Sequence, residues 1–346
     1  MASKIRINLA LQGGGSHGAF TWGVLDRLLE EPGIEIAGIS GTSAGALNGA
    51  ALKEGLVSGG ADAARKRLDA LWRQIGTVGD MRLGLWMQPV LPFAAALTQA
   101  WENTLGVSPQ GLAAQVLSPY DFGAAWRNPL IPVVRRLDFD KITSMDGPRL
   151  FINATNLRDG KIGVFSGRKI TPGALLASGC LPTVFQAVEE PHPVTGKPES
   201  WWDGGYSGNP ALFPLYDKDL PDDILIIAIN PLRREEIPRT PLEIQNRINE
   251  IGFNAPLLRD LRAIAFVQRL LDDGKIERGS MKHVALHMIA DDALMNSLSA
   301  SSKLLPSPYL LHRLKSAGRE AAARFLKAYR RQLGKSGSLN PRDLLE

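Results

Sequence analysis

Glycine-rich turns and apolar runs alternate so closely at the amino end of this chain that a parallel sheet covered by helices is the arrangement that accommodates them. Ile5 to Leu11 is an apolar, strand-like run, and the loop Gln12-Gly13-Gly14-Gly15-Ser16-His17-Gly18 follows it. Helical spacing of Phe20, Val24, Leu25, Leu28 and Leu29 then continues to Pro32-Gly33, which stops it. Ile34 to Ser40 is a second apolar strand, and Gly41-Thr42-Ser43-Ala44-Gly45 leads into a helix from Ala44 to Glu54. Strand, loop, helix, strand, turn and helix within 54 residues specify an α/β fold with a mainly parallel central sheet.

The rest of the 346 residues extends that pattern. Ala61 to Ile75 has amphipathic helical spacing; Leu150–Thr155, Lys161–Phe165, Ile224–Ile229 and Val284–Ile289 read as strands. The run Ile224-Leu225-Ile226-Ile227-Ala228-Ile229 is apolar throughout, as a parallel strand covered on both faces is. Helical patterns occupy 241–251, 256–273 and 308–333. Residues 76–130 show no clear period and read as a lid or cap inserted over the sheet, with short helices near 95–105 and 110–118. No repeat or linker divides the chain, so residues 1–334 read as one catalytic domain and 335–346 as a loosely ordered tail.

Composition narrows the function. A single cysteine, Cys180, excludes an internal disulfide and any multi-cysteine metal site, and reads as a small buried apolar residue. The amino end carries no charged leader with a long apolar core, and the least polar stretch, Leu83 to Leu97, is interrupted by Gln88, Pro89 and Pro92. A cytoplasmic protein without a membrane-spanning helix is the expectation. The net charge of +5 permits attraction to anionic surfaces without specifying a partner.

Gly41-Thr42-Ser43-Ala44-Gly45 matches G-x-S-x-G and lies between a strand and a helix, where that pattern is informative. A serine on so sharp a turn stands clear at the carboxyl edge of the sheet. It also sits at a helix amino terminus, whose N–H groups favour developing negative charge. A helix N-cap would use the same residue types. The glycine loop has two readings. Gly13, Gly15 and Gly18 satisfy the dinucleotide pattern G-x-G-x-x-G, which would make the protein an oxidoreductase, but the second strand carries its acid, Glu35, at the wrong end to hold a ribose. Alternatively Gly13, Gly14 and Gly15 present bare N–H groups beside the serine as an oxyanion hole.

A serine hydroxyl needs a base. The five histidines are His17, His192, His283, His287 and His312, and a triad of Ser43, Asp203 and either His283 or His287 follows the α/β-hydrolase order. The stronger candidate is Asp203 itself, in Trp201-Trp202-Asp203-Gly204-Gly205. There aromatics would raise the proton affinity of the carboxylate, and the glycines would let it approach another backbone.

Together, Gly13-Gly14-Gly15-Ser16-His17-Gly18, Gly41-Thr42-Ser43-Ala44-Gly45 and Asp203-Gly204-Gly205 resemble the signature set of the patatin-like phospholipases, with Ser43 and Asp203 separated by 160 residues. The resemblance implies a three-layer α/β/α fold and a lipid acyl-ester hydrolase without cofactor or metal. It further implies Ser43 as nucleophile, Asp203 as general base and acid, and the N–H groups of Gly13, Gly14 and Gly15 as oxyanion hole. Many members carry Arg or Lys where this chain has His17, so phosphate recognition is the property that this departure touches, unless His17 merely starts the helix. Asn209-Pro210 also resembles the family pattern, in a structural role.

Two segments bear on lipid access. Leu83, Leu85, Trp86, Met87, Val90, Leu91 and Phe93 read as lid or acyl-lining residues, or as a buried cap. Between Arg313 and Lys335 eight cations face one acid, Glu320, beside an apolar stripe of Leu310, Leu314, Ala317, Ala321, Phe325 and Tyr329. A helix of this kind either lies on anionic lipid or packs its stripe on the domain. No aromatic platform interleaves with the cations, so nucleic acid is not an expected partner. A lipid-binding protein of the same fold without turnover is a further reading.

Overall fold

A computed structural model describes residues 4–81, 118–121, 128–277, 279–298, 300–303 and 306–345. Strands β1 (Ile5–Leu11), β2 (Ile34–Thr42), β3 (Arg149–Asn156), β4 (Ile162–Ser166), β5 (Val188–Pro191), β6 (Pro198–Asp203), β7 (Asp223–Ile227) and β8 (Ala285–Ile289) form one sheet. Their order is β5-β6-β3-β2-β1-β7-β8, with β4 joined to β3. β3, β2, β1, β7 and β8 run parallel; β4 and β6 pair antiparallel with β3, and β5 pairs antiparallel with β6.

The principal helices are α1 (Gly18–Leu28), α2 (Ala44–Met81), α3 (Pro172–Ser178), α4 (Pro241–Asp272) and α5 (Pro308–Tyr329). Side chains alternating along the strands build two cores. Leu9, Leu11, Ile39 and Ile227 pack with α1, α2 and α5, whereas Ala10, Ile224, Ile226 and Leu286 pack with Leu257, Leu261 and Ile264 of α4. The sheet thus lies between two helical layers, the three-layer α/β/α architecture expected. The two helices expected over 44–54 and 61–75 form one run broken at Gly59-Gly60, where Gly60 takes φ 73°, a conformation that favours glycine. Likewise 241–251 and 256–273 merge into α4, which tolerates Pro256 and starts with a Thr240–Glu243 capping box.

β5, β6 and α3 carried no clear sequence signal. β6 matters most, because it occupies the same edge of β3 as β2. Ala154 and Thr155 pair with β4 across one edge and with β6 across the other, while β2 pairs with Arg149 to Asn153. β2 and β6 therefore meet head-on: Thr42 lies opposite Asn153, and Asp203 opposite Ala154.

The carboxyl-terminal helix resolves one alternative. Leu311, Leu314, Ala321, Ala322, Phe325 and Leu326 are buried, and α5 packs on α1. Its cations are partly neutralised: Arg319 pairs with Asp26 and Glu30, Lys315 with Asp69, Arg324 with Asp291 and Arg330 with Glu31. The apolar stripe thus belongs to the core and is not free to lie on lipid. Residues 335–345, expected to be loose, run against β8: Ser338 and Leu339 donate to Leu286 O, and Leu339 and Leu344 reach the second core. The proposed lid residues, Leu83 to Phe93, and the expected short helices at 95–105 and, but for Ser118 at its end, 110–118 lie outside the described residues. Among the described residues no helix is long and apolar enough to cross a membrane.

α1 and α5 cross with backbones in contact: a Cβ on Gly318 would lie 2.1 Å from Phe20 O, and one on Gly23 would lie 2.0 Å from Lys315 O. Gly318→Ala should force the helices apart and lower stability by about 1–3 kcal/mol. Urea unfolding followed by circular dichroism measures this, and an unchanged midpoint would mean that the crossing is loose.

Candidate active site

Ser43 links β2 to α2 with φ 53°, the one positive φ at a non-glycine position among the described residues. Such a backbone costs on the order of 1–3 kcal/mol and persists only where its surroundings hold it. Here the Ser43 N–H donates to Ser178 Oγ (2.9 Å), and Ser178 Oγ donates in turn to Asn153 O (2.7 Å). The Asn153 side-chain amide donates to Ser40 Oγ, Gly41 O and Thr42 Oγ1 at 3.2–3.3 Å. The glycines of the turn are spatially required. A Cβ on Gly45 would lie 2.1 Å from Leu11 O, and one on Gly41 would lie 2.7 Å from Gly45 O. Gly179 borders the hydroxyl: a Cβ there would stand in ordinary contact, 3.6 Å from Ser43 Oγ and 3.9 Å from Leu130 Cδ1.

Asp203 ends β6 and is almost fully buried. Its N–H donates to Cys180 O (2.8 Å), its carbonyl accepts from Thr155 Oγ1 (2.8 Å), and its Oδ1 accepts the Gly205 N–H at 2.7 Å. Gly204 is wedged against β3, where a Cβ would lie 2.2 Å from Asn153 O. Burial pushes the Asp203 carboxyl up to about 7, against the pull of the Gly205 N–H and the Ser43 hydroxyl. The hydroxyl is thus a neighbour of the carboxyl, yet Oδ2 has no aligned hydrogen-bond partner. Contact without full alignment is common in free enzymes, where such bonds tighten on substrate binding. Trp201 is not part of the wall expected: it packs edge-on against Phe165 and donates to Glu190 O.

The glycine loop runs beside this pair. A Cβ on Gly13 would lie 2.8 Å from Ser43 Cβ, so only glycine lets the loop come so close. The three N–H groups are not equivalent. That of Gly13 donates to Asn209 Oδ1 (2.7 Å), whereas no protein acceptor takes those of Gly14 and Gly15 among the described residues. Gly15 has φ 60° and packs under Lys303 O. Beneath the loop, buried amides form a network: Gln12 Oε1 accepts from the N–H groups of Ile229 and Asn230, and Gln12 Nε2 reaches Asn209 O and Asn254 Oδ1. Asn209 precedes Pro210 through a cis peptide bond.

The sequence profile of the family described as patatin-like phospholipase matches residues 9–216. The chain belongs to that family. The resemblance carried by the three motifs is thereby borne out. No curated protein matches the sequence. Among solved structures, VipD from Legionella pneumophila is 14% identical with a TM-score of 0.42, the alignment covering 94% of this chain and 67% of VipD. The ExoU–SpcU complex from the type III secretion system of Pseudomonas aeruginosa gives 16% identity and a TM-score of 0.37, covering 94% of this chain and 52% of that one.

In this patatin-like phospholipase the histidines do not complete a triad. His287 is fully buried in the middle of β8, the last strand of the sheet, with Nε2 on Asp223 (3.0 Å) and Nδ1 on Ser338 (2.9 Å). His283 stands before the amino end of β8, near Asp272, whereas Ser43 follows the carboxyl end of the parallel strand β2. The dinucleotide reading also fails: Glu35 pairs with Arg6, and Gly15 and Gly18 are packed against Lys303 and Ala44. His17 is buried, with Nε2 on Ser302 Oγ (2.7 Å) and Nδ1 unpaired. Burial, reinforced by Lys303, pushes its imidazole down to about 3, so it carries no charge near neutrality. Cys180 is buried as expected, its thiol donating to Gln186 O and pushed up to about 12 by burial. Among the described residues no three His, Cys, Asp or Glu side chains converge to hold a metal ion.

Ser178, Asn153, Gln12 and Asn230 were not singled out from the sequence. A signal existed for three of them: Asn153 interrupts an apolar strand, and Gln12 and Asn230 directly follow two others. Polar residues there need a structural partner.

Because Asp203 is buried with its pKa raised, its contribution to stability is complete below the ordinary aspartate range and is lost as pH rises through about 7. Asp203→Asn should therefore raise the thermal midpoint more at pH 8 than at pH 5. Equal shifts at both pH values would mean that Asp203 is not proton-sensitive in this way.

Proposed function

We propose that this protein hydrolyses lipid acyl esters through Ser43 and Asp203, with no histidine in the relay. What carries the reading is the pairing of a strained serine with a buried carboxyl whose pKa, about 7, suits proton exchange near neutrality. Ionised Asp203 takes the Ser43 proton as Oγ attacks the acyl carbonyl. The tetrahedral oxyanion faces the N–H groups of Gly14 and Gly15, with Gly13 excluded as donor by its bond to Asn209. Protonated Asp203 then passes its proton to the leaving alcohol oxygen, releasing the alcohol and leaving an acyl ester on Ser43. In the second half the carboxylate takes a proton from water as the water oxygen attacks the ester. It returns that proton to Ser43 Oγ as the fatty acid departs. Family membership supplies the lipid character of the substrate.

A fluorophosphonate probe should label the wild-type protein at Ser43, and Ser43→Ala should abolish labelling. Ester turnover should fall by at least about a thousandfold in Ser43→Ala and in Asp203→Asn. Full turnover in Asp203→Asn would overturn the assignment of the base.

The proton-accepting form of Asp203 predominates above about pH 7. On the acid side, kcat/KM should therefore rise with pH and level off above an apparent pKa near that value. A profile flat from pH 5 to 8 would contradict this.

A further inference from the structure

Asn230 follows β7, and its Nδ2 donates to Gly13 O at 2.7 Å, the shortest bond that this amide makes. Gly13 O and the Gly14 N–H are the two ends of one peptide unit. Gly14 lies directly against Asn230: a Cβ there would stand 3.4 Å from Asn230 Oδ1. That oxygen accepts from Lys303 Nζ at 3.3 Å, which brings a cation from the far end of the chain to the back of the glycine loop. Lys303 lies outside residues 9–216, the part of the chain that the family profile matches.

Around Lys303 cations outnumber carboxylates; burial pulls the pKa of its ammonium down, and the bond to Glu250 opposes that pull. Its ammonium also donates to Glu250 Oε1 (2.9 Å), but Glu250 is already held by Arg234 through two bonds of 2.7 Å and by Arg247 at 3.4 Å. Three cations thus share one carboxylate. Burial works to raise the Glu250 carboxyl, yet Arg234 and Lys303 outweigh it and bring it down to about 2. The cluster cannot lose its acid near neutral pH.

We propose that Lys303 and Asn230 are positioning residues that polarise the Gly13–Gly14 peptide, making the Gly14 N–H a stronger donor to the oxyanion. The proposal rests on the Ser43 mechanism above. A cation on Oδ1 draws electron density from the Asn230 amide and strengthens the bond from Nδ2 to Gly13 O. A carbonyl so engaged leaves its own N–H more acidic, and hydrogen bonds in chains reinforce one another. Asn209 reinforces the geometry: it accepts the Gly13 N–H and places its own Nδ2 3.4 Å from Gly13 O. Lys303 and Asn230 touch neither substrate nor the reacting atoms in this arrangement. Their effect falls on the transition state, where charge on the former carbonyl oxygen is greatest, and little on the bound ester.

Lys303→Gln retains hydrogen-bonding capacity but removes the charge, and Lys303→Arg retains the charge. With a short-chain ester, Lys303→Gln should lower kcat by about tenfold at unchanged KM, a fraction of the loss expected for deleting a whole donor. Inhibition by a trifluoromethyl ketone, whose adduct with Ser43 carries the oxyanion, should weaken by the same factor, and Lys303→Arg should recover most of both. Asn230→Ala gives a second arm in the same direction, with thermal midpoints measured for every variant. Unchanged kcat and inhibition in Lys303→Gln would overturn the proposal. So would a loss of kcat that leaves ketone inhibition intact, or one matched by a lowered thermal midpoint and not recovered in Lys303→Arg. Fluorophosphonate labelling of the wild type at Ser43 separates these outcomes from failure of the mechanism: without it the Ser43 reading falls, and with it the Lys303 result stands alone.

Discussion

One edge of β3 is shared by two strands arriving from opposite directions, and the arrangement of the candidate site depends on that sharing. β2 ends at Thr42 opposite Asn153, and β6 ends at Asp203 opposite Ala154. Backbone pairing sets the separation of the two strand ends, so an alcohol and a carboxyl 160 residues apart in sequence become neighbours without a flexible linker between them. Strand ladders tolerate little slippage when both faces are buried, since a shift of one residue would turn every side chain over. The sheet thus does for this pair what a loop could not.

Around that junction, small and polar residues convert proximity into geometry. Ser178 holds the strained Ser43 N–H, Asn153 ties the preceding backbone, and Gly204 lets the Asp203 turn lie against β3. Gly13, Gly15, Gly41 and Gly45 stand where a methyl group would collide with backbone or with Ser43. Low dielectric surroundings give the same residues an electrostatic role. Burial raises the Asp203 carboxyl towards neutrality, and among the described residues no protein acceptor takes the N–H groups of Gly14 and Gly15. Such sites sacrifice local stability for preorganisation.

Much of the fold was legible because its signals are local. β1, β2, β3, β4, β7 and β8 announce themselves as apolar runs, and α1, α2 and α5 by their helical spacing. β6 was not legible, since Pro198-Glu199-Ser200-Trp201-Trp202-Asp203 has neither alternation nor a continuous apolar run. Its strand character comes from pairing with β3 and β5. The basic carboxyl-terminal helix illustrates a related limit. Its spacing declared an apolar stripe, but only packing on α1 decided that protein and not lipid covers it.

The sequence by itself determined the α/β class, the elbow at Ser43, the glycine loop and the family, all properties of short contiguous segments with steric requirements of their own. Tertiary structure alone decided that Asp203, and neither His283 nor His287, lies beside Ser43, and that Gly13 is bound to Asn209 while Gly14 and Gly15 have no acceptor among the described residues. It alone brought Lys303 to the back of the loop. Those outcomes depend on which distant segments meet and on how deeply each group is buried. A hydrogen bond across roughly 200 residues, such as that between Gly13 and Asn209, leaves no periodic trace in either segment.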